Sequence, residues 1–245
     1  MVKGIILDPQ MKMKQSMQED SVLSEQVAYY RERAPEYDEC FYRRGRYDHG
    51  PTDRADWFRV VQTIESKLPQ VVRGKTVLEL AAGTGLWTKR LIDSGARVVA
   101  VDSSPESLMI NRDRVRSSRV EYQIADIFSW CTSATFDVVF FSFWLSHVPP
   151  RYFDDFWERV HKALKPNGQV FFIDEQQWTE REDGQATSWG VVHRKLNDGR
   201  EFRIVKIFYE PATLYRKLRK LGWRGRVCSS GKFFFYGIVR PNHRG

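Results

Sequence analysis

Binding a nucleoside calls for a backbone that the ligand can approach closely and a carboxylate for its hydroxyls. One stretch of this 245-residue chain supplies both. The apolar run Val77-Leu78-Glu79-Leu80 ends in the small residues Ala81-Ala82-Gly83-Thr84-Gly85, and a helical pattern begins at once with Leu86-Trp87-Thr88. Gly83 and Gly85 have no Cβ to hold a ligand off and can take φ > 0. The unpaired N–H groups at the start of the following helix favour a carboxylate or phosphate. A second acid, Asp102, ends the run Arg97-Val98-Val99-Ala100-Val101 about 20 residues beyond the loop, where nucleotide folds place a ribose-binding carboxylate.

This pattern resembles the class I S-adenosylmethionine-dependent methyltransferases. The resemblance implies that Glu79, Ala81, Gly83, Gly85 and Thr88 hold the methionine end of S-adenosylmethionine and that Asp102 and Ser103 hold its ribose. Ala81 stands where the family's loop usually has its first glycine. Ala125-Asp126-Ile127 follows the third strand, where the resemblance puts Asp126 on the adenine amine and Ile127 against the ring; a turn or cap is the alternative role for Asp126. Ser142 and Phe143, after the fourth strand, complete the implied cofactor contacts. The product would be S-adenosylhomocysteine, and no metal is expected.

The surrounding elements are those needed to position such a site. Strand and helix patterns alternate five times from Val77 to Glu175, which predicts a parallel sheet with helices on both faces. Phe136–Leu145 is the most hydrophobic strand and belongs at its centre. Ser103, with Glu106 three residues on, reads as a capping box. Trp57, Val60, Val61, Ile64 and Leu68 recur at helical spacing and read as core. Val191–Leu196 and Arg200–Tyr209, joined by Asn197-Asp198-Gly199, read as a β-hairpin. A helix opened by Pro211 and ended by Gly222 follows, then a last strand over Lys232–Arg240. The resemblance makes that strand antiparallel and inserted in the sheet. The expected fold is therefore α/β and Rossmann-like, a doubly wound, mostly parallel seven-stranded sheet with a final antiparallel strand, a helical lid and an inserted hairpin.

Residues 1–23 show no usable periodicity and are expected to be a mobile segment ahead of a single domain over 24–245. Within that domain, 24–50 would form the lid and 176–209 the loop and hairpin near the substrate. A short helix from Ser24 stops at Pro35; the resemblance makes Tyr29, Tyr30, Arg31 and Tyr37 lid residues, with Tyr29 and Tyr37 toward the cofactor and Tyr30 toward the acceptor. These aromatics could equally pack on the core.

A methyl group on a sulfonium is already activated, so alignment and removal of the acceptor's proton are what remain. A dry aromatic wall suits the charge dispersal of such a transfer, and Phe143, Trp144, Trp178 and Trp189 could form it, the three tryptophans contacting the acceptor. His147, Asp174, Glu175 and His193 are the candidate bases. His147 follows the fourth strand at the rim of the site and is the expected catalytic group, with packing as its alternative.

Composition sets the remaining bounds. No apolar run approaches the roughly 18 residues of a membrane span, and the apolar start is too short for a secretory signal, so a cytoplasmic protein without a membrane partner is expected. Three widely spaced cysteines suggest buried thiols instead of a disulfide frame. The net charge of +8 is concentrated in residues 181–245, which hold 15 Lys/Arg against 5 Asp/Glu. No nucleic-acid motif accompanies that excess. The expected function is methyl transfer to an oxygen or nitrogen of a small metabolite. The alternatives are an RNA or protein methyltransferase using the basic quarter, an NAD-dependent oxidoreductase, and a non-catalytic cofactor-binding module.

Overall fold

Alternate residues of the two most apolar strands face opposite sides of one sheet. Phe140 and Phe171 enter one core with Trp57, Leu91 and Phe234, while Phe141 and Phe172 enter the other with Trp157, Leu218 and Phe235. A strand buried on both faces has to be apolar at every position, which is why these segments read as continuous runs.

The computed structural model describes residues 9–176 and 190–242, with side chains described from Gln18 onward. The chain opens with helices α1 (Pro9–Arg33), α2 (Tyr37–Phe41), α3 (Pro51–Glu65) and α4 (Leu68–Val72). The alternating part follows as β1 (Thr76–Leu80), α5 (Leu86–Asp93), β2 (Arg97–Asp102), α6 (Pro105–Val115), β3 (Val120–Ile124), β4 (Phe136–Ser142), α7 (Phe153–Lys162) and β5 (Leu164–Glu175). A hairpin, β6 (Val191–Lys195) and β7 (Glu201–Val205), precedes α8 (Pro211–Lys220), β8 (Trp223–Ser230) and β9 (Phe234–Pro241).

The seven-stranded sheet has the order β3-β2-β1-β4-β5-β9-β8, and the hairpin forms a separate two-stranded sheet. The strands from β3 to β5 are parallel, whereas β9 runs antiparallel between β5 and β8. The expected α/β fold, with its inserted antiparallel strand and hairpin, is therefore present. Successive strands step outward from β1 on one side and from β4 on the other. The connections leaving these two neighbours diverge, and a crevice opens at their carboxyl ends.

Four local readings change. Helix α1 begins at Pro9, well before Ser24. The cap of α6 is Ser104, whose side chain accepts from Ser107 N at 3.0 Å, because Pro105 takes the first helical position. Strand β8, not expected from the sequence, forms the sheet edge with Arg224, Gly225 and Arg226 exposed. None of the three free thiols is buried, Cys131 being exposed and Cys40 and Cys228 half-buried. Among the described residues no helix is long and apolar enough to cross a membrane, and no His/Cys/Asp/Glu group could hold a metal.

Candidate active site

The loop between β1 and α5 turns through three left-handed residues, Ala81 (φ 52°), Gly83 (φ 53°) and Gly85 (φ 86°). Ala81 carries a Cβ through that turn at a cost of about 1–2 kcal/mol. The two glycines serve different ends. A Cβ on Gly85 would sit 2.5 Å from Asn111 Oδ1, so its absence permits packing against α6. A Cβ on Gly83 would meet nothing within 4 Å, so that side of the loop stays open to a ligand.

Behind the loop lies a buried polar network. Asn111 Nδ2 donates to Thr88 Oγ1 (2.8 Å) and to Gly83 O (3.2 Å). Glu79 is 1% exposed and shares a hydrogen bond with Thr88; burial pushes its carboxyl up to about 8. Glu79 and Thr88 were expected at the cofactor, but their side chains lie outside the cavity lining and prop the loop from beneath.

Asp102 faces the other side. Its Oδ2 accepts from Gly83 N and its Oδ1 from Ser104 N, both at 2.8 Å. Burial raises its pKa, and these backbone donors oppose the rise. Each oxygen keeps a lone pair for a further donor. Asp102, Ser103, Ile127 and Trp144 line a cavity of about 540 Å³. Asp126, by contrast, is exposed, and its Oδ1 closes a turn by accepting from Phe128 N at 3.0 Å.

A second cavity of about 830 Å³ runs from Gly83 and Thr84 toward Trp57, Glu175, Arg194 and Lys206. Tyr30, Tyr37, Ala81, Gly83, Ser142, Phe143 and His147 line both cavities, which form one chamber. Trp178 and Trp189 lie outside the described residues.

Helix α1 and the hairpin roof this chamber. The inner face of α1 carries Val22, Gln26, Tyr29 and Arg33, all buried. Gln26 bridges three elements by donating to His147 O (3.3 Å) and accepting from Val205 N (3.0 Å). Arg203 N and Nε both donate to Glu25, at 3.0 and 3.1 Å. Tyr29 packs with Val192, Leu196 and Ile204 and lines neither cavity of the chamber, so it fixes the roof instead of touching a cofactor. Arg31 pairs with Glu106 of α6 at 3.1 Å in the open. Helix α2 ties down the loop, since Thr84 Oγ1 donates to Asp38 Oδ1 at 2.7 Å and Arg114 bonds both residues.

His147 is 4% exposed. Its Nδ1 lies 2.6 Å from Val205 O and its Nε2 2.8 Å from Tyr30 Oη. Burial and the charge on Lys206 hold its pKa well below the usual histidine value. The neutral ring therefore donates from Nδ1 to the carbonyl and accepts the Tyr30 hydroxyl at Nε2. His193 is exposed. Asp174 is consumed structurally, accepting from Ser146 N and Glu175 N at 2.8 Å.

Arg33, Tyr47, Arg194 and Lys206 line the larger cavity and were not anticipated. Lys206, 3% exposed, donates to Glu175 Oε2 (2.7 Å) and Ser146 Oγ (3.2 Å). The sequence did carry a signal, a single lysine between Ile204-Val205 and Ile207-Phe208. A cation inside an apolar run is costly to bury unless it has a task.

A family profile described as a methyltransferase domain matches residues 77–168. The ubiquinone biosynthesis O-methyltransferase of Idiomarina loihiensis is 36% identical over 104 residues, 40% of this chain and 42% of that protein. The demethylmenaquinone methyltransferase of Clavibacter sepedonicus is 38% identical over 107 residues, 42% of each chain. The matched region thus spans about two-fifths of these curated relatives. A solved complex of DhpI with S-adenosylhomocysteine is 36% identical, covers 92% of this chain and 99% of its own, and superposes with a TM-score of 0.73. A complex of DhpI with S-adenosylmethionine and HEP gives 36% identity and 0.74, covering 90% of this chain and 98% of its own.

Proposed function

Since the chain belongs to the class I S-adenosylmethionine-dependent methyltransferases, we propose that it methylates an oxygen of a small acid held in the larger cavity. The observation that carries this reading is the charge of the lining. Arg194 and Lys206 face the cavity, and among its described lining residues the one carboxylate is Glu175, already bound to Lys206. An anion offsets that positive excess, whereas a protonated amine is repelled by it.

The residues present fit the cofactor. Asp102, with two oxygens fixed by backbone donors, would take the ribose hydroxyls, Ile127 would pack on the adenine, and the open side of Gly83 would admit the methionine end. Bound there, S-adenosylmethionine supplies a methyl group activated by its sulfonium. The chain's own part is to hold the acceptor oxygen against that group and to keep water out. Lys206, oriented by Glu175 and Ser146, and Arg194 hold the acid. Tyr30, fixed by His147, stands where the two cavities meet. An ionised acid has no proton to lose, so His147 need not act as a base; it positions Tyr30. The roof of α1 and hairpin suits a small acceptor over an RNA or protein. That DhpI forms a complex with both S-adenosylmethionine and HEP supports a chamber shared by cofactor and acceptor.

The test is methyl transfer from labelled S-adenosylmethionine to a panel of small phosphonates, carboxylates and amines. Acids should gain the methyl group as esters. Lys206→Met should raise the acceptor KM by about 100-fold, with S-adenosylhomocysteine affinity unchanged. The double variant Lys206→Met/Glu175→Gln, which leaves no unpaired carboxylate, should show the same KM defect. Preference for amines, or an unaltered KM, would overturn the acid reading.

A further inference from the structure

We propose that Arg33 anchors the carboxylate at the methionine end of the cofactor, and that this contact seats α1 over the chamber before the acceptor arrives. The assignment rests on family membership and not on the acceptor's class.

Arg33 is the last residue of α1 and is 6% exposed. Its guanidinium carbon lies 5.4, 5.2 and 5.8 Å from the ring centroids of Tyr29, Tyr37 and Tyr47. One terminal nitrogen donates to Tyr47 Oη at 3.0 Å, and Nε has no hydrogen-bond partner. No carboxylate among the described residues forms an ion pair with it. An arginine cannot shed its proton, so its charge stays in the wall of the cavity with one neutral partner and an idle donor. Burying a cation in that way is unfavourable until an anion joins it.

Location identifies the anion. Arg33 lines the larger cavity with Cys40, Gly83 and Thr84, and not the cavity of Asp102 and Ile127. It stacks on Tyr37, which lines both, and the next residue, Asp38, accepts from Thr84 of the loop. Arg33 therefore stands beside the loop end opposite the ribose side, where the amino-acid end of an adenosyl ligand has to extend. Lys206 is oriented separately, by Glu175 and Ser146 of other elements. A planar guanidinium and a carboxylate match geometrically. Because Arg33 and Tyr30 share α1, fixing the first places the second at the junction of the cavities, which makes binding ordered, cofactor first.

The experiment is calorimetric titration of the full chain, without acceptor, with S-adenosylhomocysteine and with its decarboxylated analogue, which keeps the ammonium. The native protein should prefer the carboxylate ligand by about 10–100-fold. Arg33→Gln should collapse that preference to within about threefold while leaving affinity for the decarboxylated analogue unchanged. Arg33→Lys, lacking the fork, should keep only part of the preference. Equal affinity of the native protein for both ligands would overturn the proposal, as would an Arg33→Gln variant that retains the preference. An equal loss for both ligands would also overturn it, since that marks a purely structural residue. Should Arg33→Gln not fold, Arg33→Lys decides, because an unchanged preference refutes the carboxylate contact and a several-fold drop supports it.

Discussion

Glu79 sits beneath the cofactor loop with one oxygen lacking a hydrogen-bond partner, and burial lifts its carboxyl from 4.5 to about 8. Between those values the folded protein retains a proton that the unfolded chain releases. Folding stability therefore falls as pH rises through that window, with the most favourable state below about pH 4.5. Glu79→Gln keeps the shape and removes the ionisation. Its stability advantage should be small at about pH 5 and grow by on the order of 2–4 kcal/mol by about pH 8, read as a widening gap in Tm. A gap of the same size at both pH values would mean that Glu79 is ionised in the fold. Gly85 shows the same tight packing a few residues on, where a single methyl group would collide with Asn111.

At the scale of elements, the roof depends on Gln26, which together with His147 bridges α1, the segment after β4 and the hairpin. Gln26→Met preserves volume but orphans Val205 N–H and His147 C=O, each at about 1–3 kcal/mol. Amide exchange should quicken across β6 and β7, and the acceptor KM should rise several-fold. Adenosine-end contacts at Asp102 should be spared, so binding of the decarboxylated S-adenosylhomocysteine analogue changes little. Unaltered exchange in the hairpin would show that the apolar contacts of Tyr29 hold the roof unaided. This element explains much of what the sequence hid. Ahead of Ser24 the helix is mostly polar, and Met11, Met13, Met17, Val22 and Leu23 follow no sustained helical period to announce it. The sheet was legible for the opposite reason, since Val77, Leu78 and Leu80, Val138–Phe141 and Val170–Ile173 are apolar and buried on both faces. Edge strand β8 was not, because Arg224, Gly225 and Arg226 face solvent. At the site, Gly83 and Asp102 could be read from their spacing. Glu79 and Thr88 were found as a motif, but which side of the loop they occupy depends on Asn111, 23 residues past Thr88. Arg33, Arg194 and Lys206 reach the chamber only through the packing of α1 and the hairpin on each other, which local periodicity does not encode.

Over the whole molecule, the +8 charge divides into two populations. Arg216, Arg219 and Lys220 of α8 and Arg224 and Arg226 of β8 are exposed, where salt screens them. Lys206 and Arg33 are buried in the chamber, where their fields persist. The buried set governs how catalysis responds to pH. Desolvation and Lys206 both disfavour a second proton on His147, so the ring is neutral at and above the pH where an ordinary histidine titrates. A carboxylate acceptor is ionised from about pH 6.5 to 9. Neither partner changes its reacting form, and kcat should be flat across that interval in a steady-state assay with saturating S-adenosylmethionine. A working histidine base behaves otherwise. Acting as base, His147 would impose a limb rising through its own depressed pKa, on the acid side of that interval. For an unionised hydroxyl or ammonium acceptor that limb is expected, because its proton has to go to a base, and His147 would be the group to take it. A rising limb that disappears in His147→Phe would therefore restore His147 as the base and displace the ionised acid as acceptor.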